Sequence, residues 1–213
     1  MEQMKILRKK ERKMMMDFKT SETHKNLMRA FAGESQARNR YTFAAAAAKR
    51  QNLYVVEAVF NFTADQEKAH AKVFFDHLKE FANEEIAIDA AYPVETYTNI
   101  QEILRSARNN ENKEHDVIYK DFAESADKEG FNTIAYSFNE IAKIEKVHAD
   151  RFGYLLGLIE KGELFVSKTE TGFMCLNCGY IYHGKEAPQV CPVCKHNQGY
   201  FIRLELVPYG GKF

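Results

Sequence analysis

Long hydrophobic runs and a net charge are both absent from this 213-residue sequence. Lysine plus arginine and aspartate plus glutamate each number 30, so the composition indicates neither nucleic acid nor an acidic lipid surface as a partner. No segment approaches the roughly 20 apolar residues that span a bilayer, and no apolar run of signal-peptide length stands near the start. We therefore expect a soluble, cytoplasmic protein without a membrane partner.

Cysteine is missing everywhere except between residues 175 and 194, where it forms two Cys-x-x-Cys pairs. The residues are Cys175, Cys178, Cys191 and Cys194. In a reducing compartment, pairs at this spacing indicate a metal site rather than disulfide bonds. Two such turns form a closed tetrahedral thiolate site that suits either zinc or a single iron, and the sequence leaves that choice open.

Proline is rare before residue 162, where only Pro93 occurs, and more frequent after it. The first part shows 3.6-residue hydrophobic periodicity, whereas the later part has short aromatic and β-branched runs between turn residues. We divide the chain into a basic N-terminal extension at 1–16, a helical domain at 17–162 and a small β module at 163–213.

Four long helices are predicted in the helical domain. The hydrophobic periodicity places them at 21–50, 52–81, 98–128 and 132–160. Ser21 or Thr20 and Thr98 are the candidate N-terminal caps, and Gly130 separates the last two helices. Each helix is about 45 Å long at 1.5 Å per residue, so they should pack as a four-helix bundle. The long link at 83–97 suits a ferritin-like crossover.

A repeat inside the bundle carries the candidate metal ligands. The segments EKAHAKVF and EKVHADRF match closely at an offset of 78 residues, and GESQARNRY matches NENKEHDVIY more loosely. Each half therefore pairs a helix that carries a glutamate with a helix that carries Glu-x-x-His, all on core-facing stripes. The residues are Glu34, Glu67, His70, Glu111, Glu114, Glu145 and His148.

Carboxylates on the core-facing sides of helices need positive charge to compensate them, and too few lysines or arginines lie on those same sides. Burying one ionised carboxylate alone costs several kcal/mol, against a domain stability of about 5–15 kcal/mol. Two divalent metal ions would supply the charge. A Glu from each of two helices with Glu-x-x-His from two others is the pattern of di-iron and di-manganese bundles.

Glu114 makes the predicted site asymmetric, because Ala37 stands at the equivalent position of the first half. One metal ion could therefore be bound by either His70 or the additional carboxylate of Glu114. Imidazole suits the lower oxidation state and carboxylate the higher one, so a redox-coupled ligand exchange is chemically sensible.

The sequence closely resembles the rubrerythrin family over residues 17–208. The resemblance rests on GESQARNRYTFAA, EKAHAKVFF, ENKEHDVIYKDFA, EKVHADRF and the CLNCGY…APQVCPVC segment. It implies a ferritin-like four-helix bundle followed by a rubredoxin-like β module. It also implies two irons held by the seven carboxylate and imidazole residues above, and one iron held by the four cysteines.

The resemblance further implies a non-haem peroxidase that reduces hydrogen peroxide to water. The family's redox exchange maps onto His70 and Glu114, and Tyr41 and Tyr119 stand where the family has tyrosines that hydrogen-bond to ligand carboxylates. These four residues are the candidate catalytic residues. The implied partners are a redox protein such as rubredoxin or its reductase, and further copies of the chain in a homodimer or higher homo-oligomer.

Two other functions stay open. An iron-storage ferroxidase would oxidise Fe²⁺, but such a protein has no need of a four-cysteine tail. A non-catalytic scaffold with zinc in the tail would not need the duplicated carboxylates.

Three features depart from the family pattern. Residues 1–16 have no obvious equivalent, and Lys195 follows Cys194 where free rubredoxins usually have glycine. Tryptophan, which small rubredoxins normally carry, is absent. Other aromatic residues must fill its packing role, and the candidates are Phe173, Tyr180, Tyr182 and Phe201.

Overall fold

A bundle of helices is followed by a small antiparallel sheet in the computed structural model, which describes residues 16–207. The bundle consists of α1 (Glu22–Arg50), α2 (Tyr54–His77), α3 (Ile100–Lys113), α4 (Tyr119–Glu129) and α5 (Asn132–Glu160). A π-helical turn, Glu114–Ile118, joins α3 to α4, so these segments form the third arm of a four-helix bundle. The strands are β1 (Val166–Cys175), β2 (Ile181–Glu186) and β3 (Phe201–Arg203).

Local side-chain chemistry sets the helix ends. Ser21 Oγ accepts a hydrogen bond of 3.0 Å from the backbone N–H of His24, which confirms the predicted cap of α1. The prediction that Thr98 caps the third helix is wrong, because Asn99 accepts the two backbone N–H bonds at that end. Gly130 adopts a left-handed conformation with φ of 90°, which confirms the predicted break before α5.

The predicted second helix, 52–81, is wrong at both ends. It begins only at Tyr54, since Asn52 has a positive φ of 58° and cannot continue a right-handed helix. It ends at His77 and is followed by a separate 3₁₀ turn, Lys79–Phe81. The link at 83–97 contains no helix, as predicted.

The prediction of one uninterrupted α-helix over 98–128 is also wrong, because the π-helical turn lies in its middle. A π-turn accommodates one residue more than an α-turn, and such turns are frequent at functional sites. The repeat contains this signal: Glu34 and Tyr41 are seven residues apart, whereas Glu111 and Tyr119 are eight apart.

The apolar core of the bundle is split into two layers. One contains Phe60 and Phe152, the other Phe74 and Phe138, and all four side chains are fully buried. On every arm of the bundle, the predicted ligands stand between the residues of the two layers. The predicted ligands therefore lie in a polar layer between two apolar layers of the bundle core.

The sheet has the order β2-β1-β3, and both pairs are antiparallel. Phe173 and Phe201 are fully buried in its core, where they fill the role expected for a tryptophan. Tyr200 stacks on Tyr54 of α2 with ring centroids 3.9 Å apart. A Cβ at Gly199 would lie 1.9 Å from the backbone oxygen of Asn52, so only glycine permits this contact between sheet and bundle.

Two predictions lie partly outside these observations. The basic extension at 1–16 lies, apart from Met16, outside the described residues. The boundary at 162 falls between α5 and β1, and as a division into domains it stays a prediction. Within residues 16–207, no helix combines the length and hydrophobicity that a membrane crossing requires.

Candidate metal centres

Six of the seven predicted carboxylate and imidazole ligands converge at the middle of the bundle. Their ligand atoms form two groups, and within each group the atoms lie within 4.8 Å of one another. One group is Glu34, Glu67, His70 and Glu145, and the other is Glu67, Glu111, Glu145 and His148. Glu67 and Glu145 belong to both groups, so each could bridge two metal ions.

The two imidazoles are related by an approximate two-fold symmetry. Nδ1 of His70 lies 3.1 Å from Oε2 of Glu67 and 3.0 Å from Oε1 of Glu145. Nδ1 of His148 lies 2.9 Å from Oε1 of Glu67 and 2.9 Å from Oε2 of Glu145. The rings are nearly parallel, at 16°, with centroids 5.6 Å apart. Each Glu-x-x-His pair therefore meets the carboxylate of the other pair.

Several buried polar atoms of this cluster have no hydrogen-bond partner among the described residues. They are Glu34 Oε2, Glu67 Oε1, Glu111 Oε2, both carboxylate oxygens of Glu145, and His148 Nδ1. Native proteins pair nearly all buried polar groups, so such a concentration requires a ligand. Carboxylate oxygens and imidazole nitrogens together suit divalent transition-metal ions, and these residues therefore fit a dinuclear centre.

Burial also controls the protonation of the cluster. Burial and the charge of Glu67 raise the pKa of Glu111 to about 8. Burial lowers the pKa of both imidazoles, but the adjacent carboxylates outweigh it. Glu145 and Glu67 raise the pKa of His70 to about 9, and Glu111, Glu145 and Glu67 raise that of His148 to about 12. The metal-free site thus holds protons that metal ions must displace.

Two tyrosines hold the outer carboxylates. Tyr41 donates its hydroxyl hydrogen to Oε1 of Glu111, and Tyr119 donates to Oε1 of Glu34. Burial raises the pKa of both phenols well above the usual value, so they stay protonated donors. Each bond holds one carboxylate oxygen. The other oxygen, Oε2, lies 4.0 Å from Nδ1 of His70 in Glu34 and 3.7 Å from Nδ1 of His148 in Glu111.

Glu114 belongs to neither group, and as a metal ligand it stays a prediction. It begins the π-helical turn and lines a cavity of about 490 Å³, together with Gly33 and Tyr119. Residues of the 83–97 link, including Tyr92, form the cavity's outer wall. Burial and the charges of Glu111 and Glu145 raise the pKa of Glu114 well above its usual value. The carboxyl group of Glu114 thus borders the cavity, and without metal ions the charges of the cluster favour its protonated form.

The four cysteines form a second cluster, with their sulfur atoms within 4.8 Å of one another. Sγ of Cys175 lies 3.6 Å from Sγ of Cys194, and Sγ of Cys178 lies 3.7 Å from Sγ of Cys191. A tetrahedral ion with metal–sulfur bonds of about 2.3 Å separates its sulfurs by about 3.8 Å. The cluster therefore fits one tetrahedral metal ion.

The two Cys-x-x-Cys turns place their next residues in left-handed conformations, with φ of 75° at Gly179 and 65° at Lys195. Burial raises the pKa of Cys175 to about 12, whereas the backbone N–H of His196 lowers that of Cys194 to about 5. A bound metal ion would keep all four sulfurs deprotonated.

Sequence reasoning missed two residues beside the carboxylate cluster, Gln66 and Arg151. Oε1 of Gln66 lies 3.1 Å from Nε2 of His148 and 3.0 Å from Nη1 of Arg151. A signal for them exists, because both differ from their counterparts in the repeat, Ile144 and Val73.

Comparisons with known proteins agree with this geometry. The family model described as Rubrerythrin matches residues 25–156, and that described as Rubrerythrin, rubredoxin-like domain matches residues 173–202. A rubrerythrin of Porphyromonas gingivalis is 45% identical over 193 residues, which are 91% of this chain and 95% of that protein. Rubrerythrin-1 of Clostridium acetobutylicum is 43% identical, and the match covers 88% of this chain and 96% of that one.

A solved structure agrees as well. Nigerythrin in its fully reduced, all-ferrous state matches with a TM-score of 0.58 at 28% identity, over 86% of this chain and 90% of that chain. The predicted fold class, a ferritin-like bundle followed by a rubredoxin-like module, is confirmed. The predicted cofactor sites are confirmed as a carboxylate and histidine di-iron candidate and a four-cysteine rubredoxin-like site.

Proposed function

The chain belongs to the rubrerythrin family, and from this premise we propose that it is a non-haem di-iron peroxidase that reduces hydrogen peroxide to water. The observation that carries the proposal is the pair of overlapping ligand groups that share Glu67 and Glu145. When bound, two ferrous ions supply one electron each for the reaction H₂O₂ + 2 e⁻ + 2 H⁺ → 2 H₂O, and the iron held by the cysteines supplies one-electron chemistry for their return.

The residues around the cluster have three tasks in this proposal. The cavity beside Glu114 admits peroxide, and the protonated carboxyl group of Glu114 holds a proton that the reaction consumes. Tyr41 and Tyr119 keep the outer carboxylates oriented, so that little rearrangement precedes each turnover. The two apolar layers exclude bulk water from the remaining sides.

Glu114 and His70 are also the residues for which the family resemblance implies a redox-linked exchange. His70 lies among the converging ligand atoms and Glu114 stands aside in the π-helical turn. This arrangement is compatible with a site in which imidazole occupies one position and carboxylate is free to replace it.

The proposal extends to partners and location. A small redox protein such as rubredoxin, or its reductase, would deliver electrons to the cysteine site, where Cys178 is exposed and accessible to a partner. A cytoplasmic location and a homodimer or higher homo-oligomer belong to the same proposal. Nigerythrin was solved in an all-ferrous state, and we propose by analogy that the metal of this chain is also iron.

Metal analysis with visible and EPR spectra of protein purified without oxygen tests the proposal. We expect one rubredoxin-type iron and two coupled irons per chain. Replacing Glu67 or Glu145 with alanine should abolish the coupled irons and peroxide turnover, whereas Asp65→Ala, at an exposed position of the same helix, should preserve both.

Three outcomes would contradict the proposal. Peroxide turnover that survives Glu67→Ala would exclude the carboxylate cluster as the reaction site. Zinc in the cysteine site would remove the electron route, and mineralisation of Fe²⁺ without peroxide reduction would favour the ferroxidase.

A further inference from the structure

The two halves of the bundle hold their histidines differently. Nε2 of His148 lies 3.1 Å from Oε1 of Gln66, and Nη1 of Arg151 donates to that same oxygen at 3.0 Å and to Oγ1 of Thr63 at 2.9 Å. Arg151 also lies over the ring of Phe62, 5.1 Å from its centroid. Across the described part of the chain, Nε2 of His70 has no comparable hydrogen bond.

These contacts determine which nitrogen of His148 carries hydrogen. Arginine has only donors, so the amide atom of Gln66 that meets Arg151 must be its oxygen. That oxygen can only accept, so Nε2 of His148 must donate to it and must keep its hydrogen. When a metal ion displaces the proton of Nδ1, this nitrogen is the one that can offer a lone pair to an ion held by Glu67 and Glu145.

We call Gln66 and Arg151, which together hold Nε2 of His148, the anchor of that histidine. The internal repeat shows that the other half of the bundle lacks such an anchor. An offset of 78 residues relates the three polar residues around His148 to three positions of the other half. Thr63, Gln66 and Arg151 correspond to Ile141, Ile144 and Val73. All three counterparts are aliphatic, so none can accept a hydrogen bond from an imidazole or hold an acceptor in place. The rest of the symmetry is kept, since both histidines meet the same two carboxylates at 2.9–3.1 Å.

We propose that Gln66, itself held by Arg151, is a positioning residue for His148 and makes the two metal positions unequal. The group that contains Glu111 and His148 binds the first divalent ion, and the group that contains Glu34 and His70 binds the second. Partners that orient a ligand histidine typically change metal affinity by about 10–100-fold, and only one of the two histidines has such a partner. The inference rests on the proposed dinuclear site and not on peroxidase activity.

A Mn²⁺ titration of the full-length chain, with zinc in the cysteine site and the carboxylate cluster stripped of metal, tests this order. EPR distinguishes an isolated Mn²⁺ ion from a coupled pair. We expect the isolated signal to dominate up to one equivalent and the coupled signal to appear only beyond it. A crystal with one equivalent should show the ion between Glu111 and His148.

Two variants separate the anchor from general effects on folding. Gln66→Leu should weaken the first binding step by about 10–100-fold and merge the two steps. The double variant Ile144→Gln with Val73→Arg installs the missing anchor beside His70, at positions 37% and 39% exposed. This double variant should raise the affinity of the second Mn²⁺ binding step, so that the affinities of the two steps become similar.

The outcomes distinguish this inference from the proposed function. Coupled pairs from the first addition of Mn²⁺ to the native chain, or a first ion beside His70, would overturn the inference and leave the dinuclear site intact. Mn²⁺ affinities that are unchanged in both variants would also overturn the inference and leave the dinuclear site intact. A carboxylate cluster that binds no ion would overturn the inference and the proposed function together.

Discussion

The metal-free protein should lose stability as the pH rises from 6.5 to 8. The pKa of Glu111 is raised from its ordinary 4.5 to about 8, and that of His70 from 6.5 to about 9. Both groups therefore keep a proton in the folded state after the unfolded chain has lost it. For groups with raised pKa values, the stabilisation is complete below the unfolded pKa and is lost as the pH rises through the folded one.

The size of the effect follows from the number of protons. Each proton held only by the folded chain changes the unfolding free energy by about 1.4 kcal/mol per pH unit. Between pH 6.5 and 8, Glu111, His70 and His148, whose pKa is raised to about 12, together hold up to three such protons, which corresponds to an upper limit of about 4 kcal/mol per pH unit. This is a large part of a typical domain stability of about 5–15 kcal/mol.

Urea unfolding followed by helical circular dichroism at pH 6, 7 and 8, with the carboxylate site stripped of metal, measures this slope. Glu111→Gln should reduce it by about 1.4 kcal/mol per pH unit, while Asp65→Asn at an exposed position should leave it unchanged. Adding Mn²⁺ should reverse the trend, because metal binding displaces the protons more easily at higher pH. A metal-free stability that is flat or rises between pH 6.5 and 8 would refute the reasoning.

Three further predictions concern single side chains. Tyr119→Phe removes the hydroxyl that holds Glu34, so metal affinity should fall by about 10–100-fold in a metal titration; an unchanged affinity would show that the hydrogen bond does not orient the ligand. Lys195→Gly relieves a left-handed conformation and should stabilise the loaded cysteine site by about 1 kcal/mol in thermal unfolding; a lower melting temperature would contradict this. Glu114→Gln keeps the cavity's shape but cannot release a proton, so single-turnover peroxide reduction should slow while two metal ions still bind; full-rate reduction would assign the proton to another group.

The repeat allowed most of the carboxylate cluster to be predicted from sequence alone. Helical periodicity decides which side chains share a face, and that rule is local. The duplicated Glu-x-x-His segments therefore predicted the buried carboxylates and imidazoles, of which Glu67 and Glu145 are at most 1% exposed. The spacing of the cysteine pairs was sufficient in the same way, because each turn is built within a few residues.

The helix ends were less predictable, because competing residues stand next to each other. Thr98 and Asn99 can both cap a helix, and the structure uses Asn99. The π-helical turn at Glu114–Ile118 was implicit in the unequal spacing of the two halves, but its effect on Glu114 depends on how the third arm packs against the other helices.

By itself, the sequence determined the bundle, the cysteine site and the residues that face inward, since these follow from periodicity and spacing along one helix or turn. Only the tertiary structure decided how those residues are supported. Arg151 donates to the amide oxygen of Gln66, 85 residues away in the chain, and Tyr119 donates to Glu34, also 85 residues away. Such contacts depend on the relative placement of whole helices, which no local pattern encodes.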